Sequence, residues 1–208
     1  MSNPAFPDAA RTWNQRYEGD DYIFGTEPNA WLREQGAHFP AGGRVLSVAD
    51  GEGRNSVWLA RQGLRVDAFD IADVGVAKAR KLATAAGVDV NYSVSDCDAW
   101  PWPVAAYEGI AAIFFQFADP ALRARLFERM ITALKPGGVL VLQGYTPKQL
   151  DYKTGGPPQV SHLYTPELLR EAFAAMEILV LRDYEDDLNE GSRHSGRSAV
   201  IGMVARKP

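Results

Sequence analysis

Apolar positions along this chain follow two periods, and each change of period marks the edge of an element. Val45-Leu46-Ser47-Val48 is a short β-prone run that meets Ala49-Asp50-Gly51-Glu52-Gly53, and helical spacing begins at Arg54-Asn55. This predicts a strand, a tight turn and a helix start. Residues 64–69 predict a second strand ending at Asp70. Asp73 is expected to cap a helix running to Ala86, which Gly87 terminates, and residues 88–94 predict a third strand closing on Ser95-Asp96-Cys97. Residues 109–115 are almost continuously apolar, as in a central strand buried on both faces. Asp119-Pro120 then opens a helix carrying Leu122, Leu126, Phe127, Met130, Ile131 and Leu134. Lys135-Pro136-Gly137-Gly138 stops it, and residues 139–143 predict a fifth strand.

The two ends of the chain are less regular. Short helices are expected over Ala9–Tyr17 and Ala30–Gln35, around an aromatic loop at 22–29. Residues 144–163 show no periodicity and form the longest irregular stretch. Thr165-Pro166 opens a helix to about Ala175, and residues 178–184 and 198–206 predict two last strands joined by a polar loop. Strands alternating with helices imply βαβ units and a parallel sheet. The fold class is therefore α/β.

Composition narrows the class. With 208 residues the chain is long enough for one domain with a full core, and 46% hydrophobic and 23% charged residues are ordinary for a soluble protein. A net charge of −4 gives no broad attraction to phosphate backbones or anionic membranes, so neither nucleic acid nor membrane is an expected partner. No apolar stretch approaches a membrane span. The lone Cys97 cannot form an internal disulfide, and the first ten residues lack a cationic segment leading into an apolar run. A cytoplasmic monomer or homodimer is expected. No cluster has metal-ligand spacing, so no metal is expected.

Candidate chemistry gathers at the glycine turn. Glycines at alternate positions let a ligand approach the main chain, and free N–H groups at a helix start can face it. Asp70 lies 17 residues beyond Gly53, close to where a dinucleotide fold places an acid on ribose hydroxyls. Asp96 ends the next strand, within reach of an adenine amino group. Singly each acid could equally be a loop cap; with the glycine turn they point to bound adenosine. A dinucleotide dehydrogenase fits worse, because Ser56 occupies the third-glycine position.

Val45-Leu46-Ser47-Val48-Ala49-Asp50-Gly51-Glu52-Gly53 resembles motif I of class I S-adenosylmethionine-dependent methyltransferases. Trp100-Pro101-Trp102-Pro103, Tyr107-Glu108-Gly109-Ile110 and Leu134-Lys135-Pro136-Gly137-Gly138 resemble later elements of that family, in the same order. Gly25-Thr26-Glu27-Pro28-Asn29, Thr154-Gly155-Gly156-Pro157 and Asn189-Glu190-Gly191 with His194 are similar to a bacterial subgroup akin to tellurite-resistance and thiopurine methyltransferases. Phe115-Gln116-Phe117-Ala118 stands where amide- and adenine-methylating enzymes carry Asn-Pro-Pro-Tyr, which argues against those acceptors.

The resemblance implies a Rossmann-like seven-stranded sheet in the order 3-2-1-4-5-7-6, its last-numbered strand antiparallel. It implies one domain over 1–208, with a flap at 1–40 and a core at 44–208. S-adenosylmethionine would be the cofactor and a small molecule the methyl acceptor, with the subgroup pointing to a soft nucleophile such as a thiol or chalcogen oxyanion. Asp50, Gly51, Gly53, Arg54 and Asn55 would cradle the methionine end and Asp70 with Ile71 the ribose. Asp96 and Cys97 would edge the adenine, Phe115 and Gln116 would line the floor, and Trp13, Tyr17 and Phe24 would close over it. His194 and Glu190 would lie over the reacting centre on the loop at 186–197, with Thr154-Gly155-Gly156 nearby. The rival reading is a non-catalytic S-adenosylmethionine-binding or interaction protein.

Overall fold

The computed structural model describes residues 8–208, so the start read for a leader segment lies largely outside the described residues. Seven strands form one sheet: β1 (Arg44–Val48), β2 (Arg65–Asp70), β3 (Val90–Val94), β4 (Tyr107–Ile113), β5 (Leu134–Tyr145), β6 (Glu177–Glu190) and β7 (His194–Arg206). Their order is β3-β2-β1-β4-β5-β7-β6. The first five pair in parallel, and β7 runs antiparallel to both β5 and β6. Strand alternation sorts the core into two layers. Leu46, Ile110, Leu140 and Leu142 bury one face with Leu126, Phe127 and Met130 of α5 (Pro120–Ala133) and with Leu169 of α7 (Pro166–Ala172). Val45, Ala111, Val139 and Val141 bury the other with Trp31 and Leu32 of α2 (Ala30–Gln35) and Leu59 of α3 (Arg54–Arg61).

Capping fixes several helix starts. Asp119 accepts from Leu122 N at 2.8 Å ahead of Pro120, and Thr165 accepts from Leu168 N at 3.2 Å ahead of Pro166. The helix α4 (Asp73–Ala86) departs from expectation: its N-cap is Ala72, and Asp73 sits in the first turn. There Asp73 accepts from Asn14 Nδ2 at 2.5 Å, while Val74 N donates to Asn14 Oδ1 at 3.1 Å. These two bonds dock α1 (Ala9–Tyr17) onto the start of α4.

Several boundaries move. β4 ends at Ile113, because Phe114 takes a left-handed φ of 53° that no strand continues through. α7 ends at Ala172 and α5 at Ala133, so Leu134 opens β5. The stretch at 144–163 is partly regular, with the short helix α6 (Gln149–Tyr152) and a 3₁₀ turn at Val160–His162. The polar loop at 186–197 is instead a hairpin, in which Asp186 to Glu190 pair with Ser198 to His194. Ladder hydrogen bonds ask nothing of side-chain polarity, and only Leu188 and Glu190 of this arm turn inward.

Candidate functional site

A cavity of about 490 Å³ opens where β1, β2 and β4 end and β7 begins, with α1 and Phe24 closing over it. That is the carboxyl end of the parallel strands, where open α/β sheets hold their ligands. Among the predicted residues, Trp13, Tyr17, Phe24, Asp50, Gly51 and Arg54 line it, as do Asn55, Asp70, Ile71, Asp96, Cys97 and His194.

The turn after β1 is held by its own acid. Asp50 accepts from Ser47 Oγ at 2.6 Å, Ser56 Oγ at 2.5 Å and Ser56 N at 3.2 Å. Burial raises its pKa, against the pull of those donors. Gly51 has φ 61°, and a Cβ there would stand 2.8 Å from the Tyr17 hydroxyl. Gly53, at φ 93°, lies outside the cavity; a Cβ would meet Ala79 at 2.7 Å, so this glycine admits α4 against the turn.

Asp70 accepts from Gly51 N and Ala72 N, each at 2.9 Å. Burial pushes its carboxyl up to about 6, although both N–H donors pull it down. Asp96 caps its own loop, accepting from Asp98 N and Ala99 N at 2.7 Å. Cys97 is buried, and burial followed by the Asp70 charge raises its thiol pKa, which keeps it protonated and un-nucleophilic.

The N-terminal aromatics form a connected lid. Trp13 stacks on Tyr17 at 5.5 Å between centroids, and Phe24 stands 6.4 and 6.5 Å from those two rings. Lys78 fastens the segment from below. Its Nζ donates to the carbonyls of Tyr17, Gly19 and Asp21 at 3.3, 2.9 and 2.6 Å, and it pairs with Glu52 at 2.5 Å. Glu52 in turn accepts from Ile23 N at 2.9 Å.

His194 sits between Phe24 and Phe114, with centroids 4.6 and 4.5 Å away. Burial, then the Arg54 charge, lowers its pKa to about 4, against the opposing charge of Glu190. The imidazole is therefore neutral at pH 7. Glu190 lies outside the cavity lining, contrary to expectation. Its carboxylate accepts from Arg54 Nη2 at 2.7 Å, Ala30 N at 3.0 Å and Asn29 Nδ2 at 3.0 and 3.2 Å. Burial would raise its pKa, but Arg54 and these donors together hold it below the usual range. It braces the site from behind.

Phe115 and Gln116 also lie outside the cavity. The left-handed turn at Phe114 sends Phe114 to the cavity wall and Phe115 into the core against Phe127 and Tyr164, at 5.9 and 6.2 Å. Gln116 is bonded to Tyr145 N and O at 2.5 and 3.0 Å and to His162 O at 3.1 Å. Thr154 donates to Arg197 O at 2.6 Å, and Gly155 and Gly156 press on the Tyr145 ring, so this excursion supports the hairpin and not the cavity. Lining residues that the pattern did not single out include Phe69, Ser95, Ile113, Phe114, Phe117 and Leu122. Ser95 and Phe117 adjoin predicted positions; Phe114 was hidden inside the continuous apolar run of residues 109–115. Among the described residues no group of three His, Cys, Asp or Glu could hold a metal, and no helix is long and apolar enough to cross a membrane.

Residues 45–138 match the family model described as a methyltransferase domain. The match takes in β1 through the start of β5, including the glycine turn, Asp70 and Asp96. A demethylmenaquinone methyltransferase from Thermus thermophilus is 31% identical over 106 residues, which are 50% of this chain and 48% of that protein. The chain thus aligns with about half the length of that curated relative. Among solved structures, the N-methyltransferase NodS from Bradyrhizobium japonicum, in complex with S-adenosylhomocysteine, superposes with a TM-score of 0.71 at 13% identity, covering 97% of this chain and 99% of that one. TehB from Haemophilus influenzae superposes with a TM-score of 0.69 at 17% identity, over 96% and 67%. At these identities the superpositions speak for the fold, which is the Rossmann-like methyltransferase fold.

Proposed function

We propose that this protein transfers a methyl group from S-adenosylmethionine to a small-molecule acceptor by direct in-line displacement, and that it works as one domain with the 1–40 segment as a flap. The observation that carries the reading is the single cavity wall shared by the Gly51 turn, Asp70 and Asp96, all within the stretch that matches the methyltransferase-domain model. The residues present suit the cofactor. Gly51 leaves main chain open where a side chain would strike Tyr17, and Asp70 offers a carboxylate that accepts from vicinal hydroxyls without a proton of its own.

In this reading the main chain of Asp50 to Asn55 holds the methionine end, Asp70 and Ile71 the ribose, and Asp96 and Cys97 the adenine edge. Bound S-adenosylmethionine supplies an already activated methyl on its sulfonium. The chain's own task is therefore to align the acceptor and exclude water. Trp13, Tyr17 and Phe24 cover the cavity, and His194 lines it as a group that takes a proton from the acceptor or stabilises an anion. Kinship with the tellurite-resistance and thiopurine group favours a soft nucleophile, a thiol or chalcogen oxyanion. Incubation with methyl-labelled cofactor and a panel of thiols, chalcogen oxyanions and small heterocycles tests this. A labelled product is expected; cofactor binding with no product from any acceptor would instead support a non-catalytic binding protein.

A further inference from the structure

Among the described residues, two buried polar atoms of cavity-lining side chains have no hydrogen-bond partner: Arg54 Nη1 and His194 Nδ1. Buried polar atoms without partners are rare enough in folded proteins to require an explanation. Arg54 is 7% exposed, so bulk water does not satisfy its free nitrogen.

The topology says which end of the cavity they serve. Asp70 ends β2 and Asp96 follows β3, both on one side of β1; β4, β5, β7 and β6 lie on the other. Arg54 starts α3 directly after the β1 turn, yet its Nη2 reaches 2.7 Å from Glu190, the last residue of β6. Its guanidinium therefore lies on the β7–β6 side, away from the two acids assigned to the nucleoside. Glu190 is the register partner of His194 across the hairpin, which brings the imidazole to the same corner. One edge of the guanidinium is fixed by Glu190; the other is left for a ligand. Phe24 and Phe114, packed on the His194 ring, supply apolar walls.

We infer that this corner is the acceptor's anchoring point, and that the acceptor is a small, negatively charged molecule whose carboxylate or oxyanion bonds Arg54 Nη1 and His194 Nδ1. The inference rests on the methyltransferase reading and names its substrate class. Glu190 pairs with Arg54, so the corner supplies hydrogen-bond donors more than net charge, and such bonds to an anion are the strong ones. The sequence pattern assigns Arg54 to the cofactor; the geometry moves its side chain to the acceptor and leaves the main chain with the cofactor.

The test titrates the S-adenosylhomocysteine-saturated protein with acetate, benzoate and selenite, against acetamide and benzamide. At least one anion should bind tenfold or more tighter than the amides. Arg54→Met should remove that preference while S-adenosylhomocysteine affinity changes less than threefold. Because Arg54→Met leaves Glu190 without its partner, Arg54→Met/Glu190→Gln and His194→Phe are measured beside it, each first shown to melt cooperatively. Anions binding no better than amides would overturn the inference. So would a loss of S-adenosylhomocysteine affinity as large as the loss of anion affinity, since Nη1 would then serve the cofactor's own carboxylate. If the wild type ignores S-adenosylhomocysteine altogether, the methyltransferase reading itself falls.

Discussion

At Gly51 the main chain adopts φ 61°, and the space a side chain would need belongs to the Tyr17 hydroxyl. A left-handed non-glycine residue costs about 1–2 kcal/mol before any clash. Gly51→Ala should therefore lower stability by about 1–3 kcal/mol in urea denaturation and weaken S-adenosylhomocysteine binding in calorimetry; unchanged values in both would mean that the turn tolerates a side chain. Asp70→Asn keeps the size but removes an acceptor, and should weaken the same binding by about 1–3 kcal/mol. An unchanged dissociation constant would remove Asp70 from the ribose. Gly51 could be read from the chain because its backbone angle demands glycine, and Asp70 because an acid at the end of β2 beside that turn is a recognisable pattern. Phe114 could not, since one left-handed residue at the end of β4 reverses which ring of the Phe114-Phe115 pair faces the cavity. Glu190 was found but misplaced, for nothing in its spacing foretells Asn29, Ala30 and Arg54 converging on it.

Among the elements, the β6–β7 hairpin and the N-terminal segment share one buried joint. Glu190 ties the end of β6 to the start of α2 and to the first residue of α3, and Arg193 N donates to Ile23 O at 3.3 Å. Removing one partner of a buried ion pair leaves the other charge uncompensated, at about 3–5 kcal/mol. Glu190→Ala is expected to destabilise by that order in chemical denaturation, and Glu190→Gln by less, since the amide oxygen still accepts from Ala30 N. Equal stabilities for wild type and Glu190→Ala would contradict the joint. The buried central strands announce themselves by continuous apolar runs. This hairpin does not, because Asp186, Asp187 and Asn189 point outward and mimic a loop.

Across the whole molecule, two buried groups oppose each other in the acid range. His194 has its pKa lowered from 6.5 to about 4, so below pH 6.5 the unfolded chain binds its proton first and stability falls as pH drops. Asp70 has its pKa raised from 3.8 to about 6, so the folded protein binds that proton first and stability rises as pH drops from 6. Between pH 7 and 5 the two slopes partly cancel. Asp70→Asn should therefore lose more melting temperature over that interval than the wild type, and His194→Gln less; identical pH profiles for all three would contradict the burial of both groups. The alternation of strands and helices made the parallel sheet legible, and the family motifs supplied its order. The aromatic rings of Trp13, Tyr17 and Phe24 made a cover over the cavity legible; what fastens it was not, because Asn14 and Lys78 are polar residues of no distinctive pattern.

The most direct measurement is a crystal structure of the protein grown with S-adenosylhomocysteine. The ribose hydroxyls are expected on Asp70, the homocysteine end on the main chain from Asp50 to Asn55, and the sulfur facing the corner of Phe114 and His194. A ligand bound elsewhere, or a cavity left without it at millimolar concentration, would contradict the account.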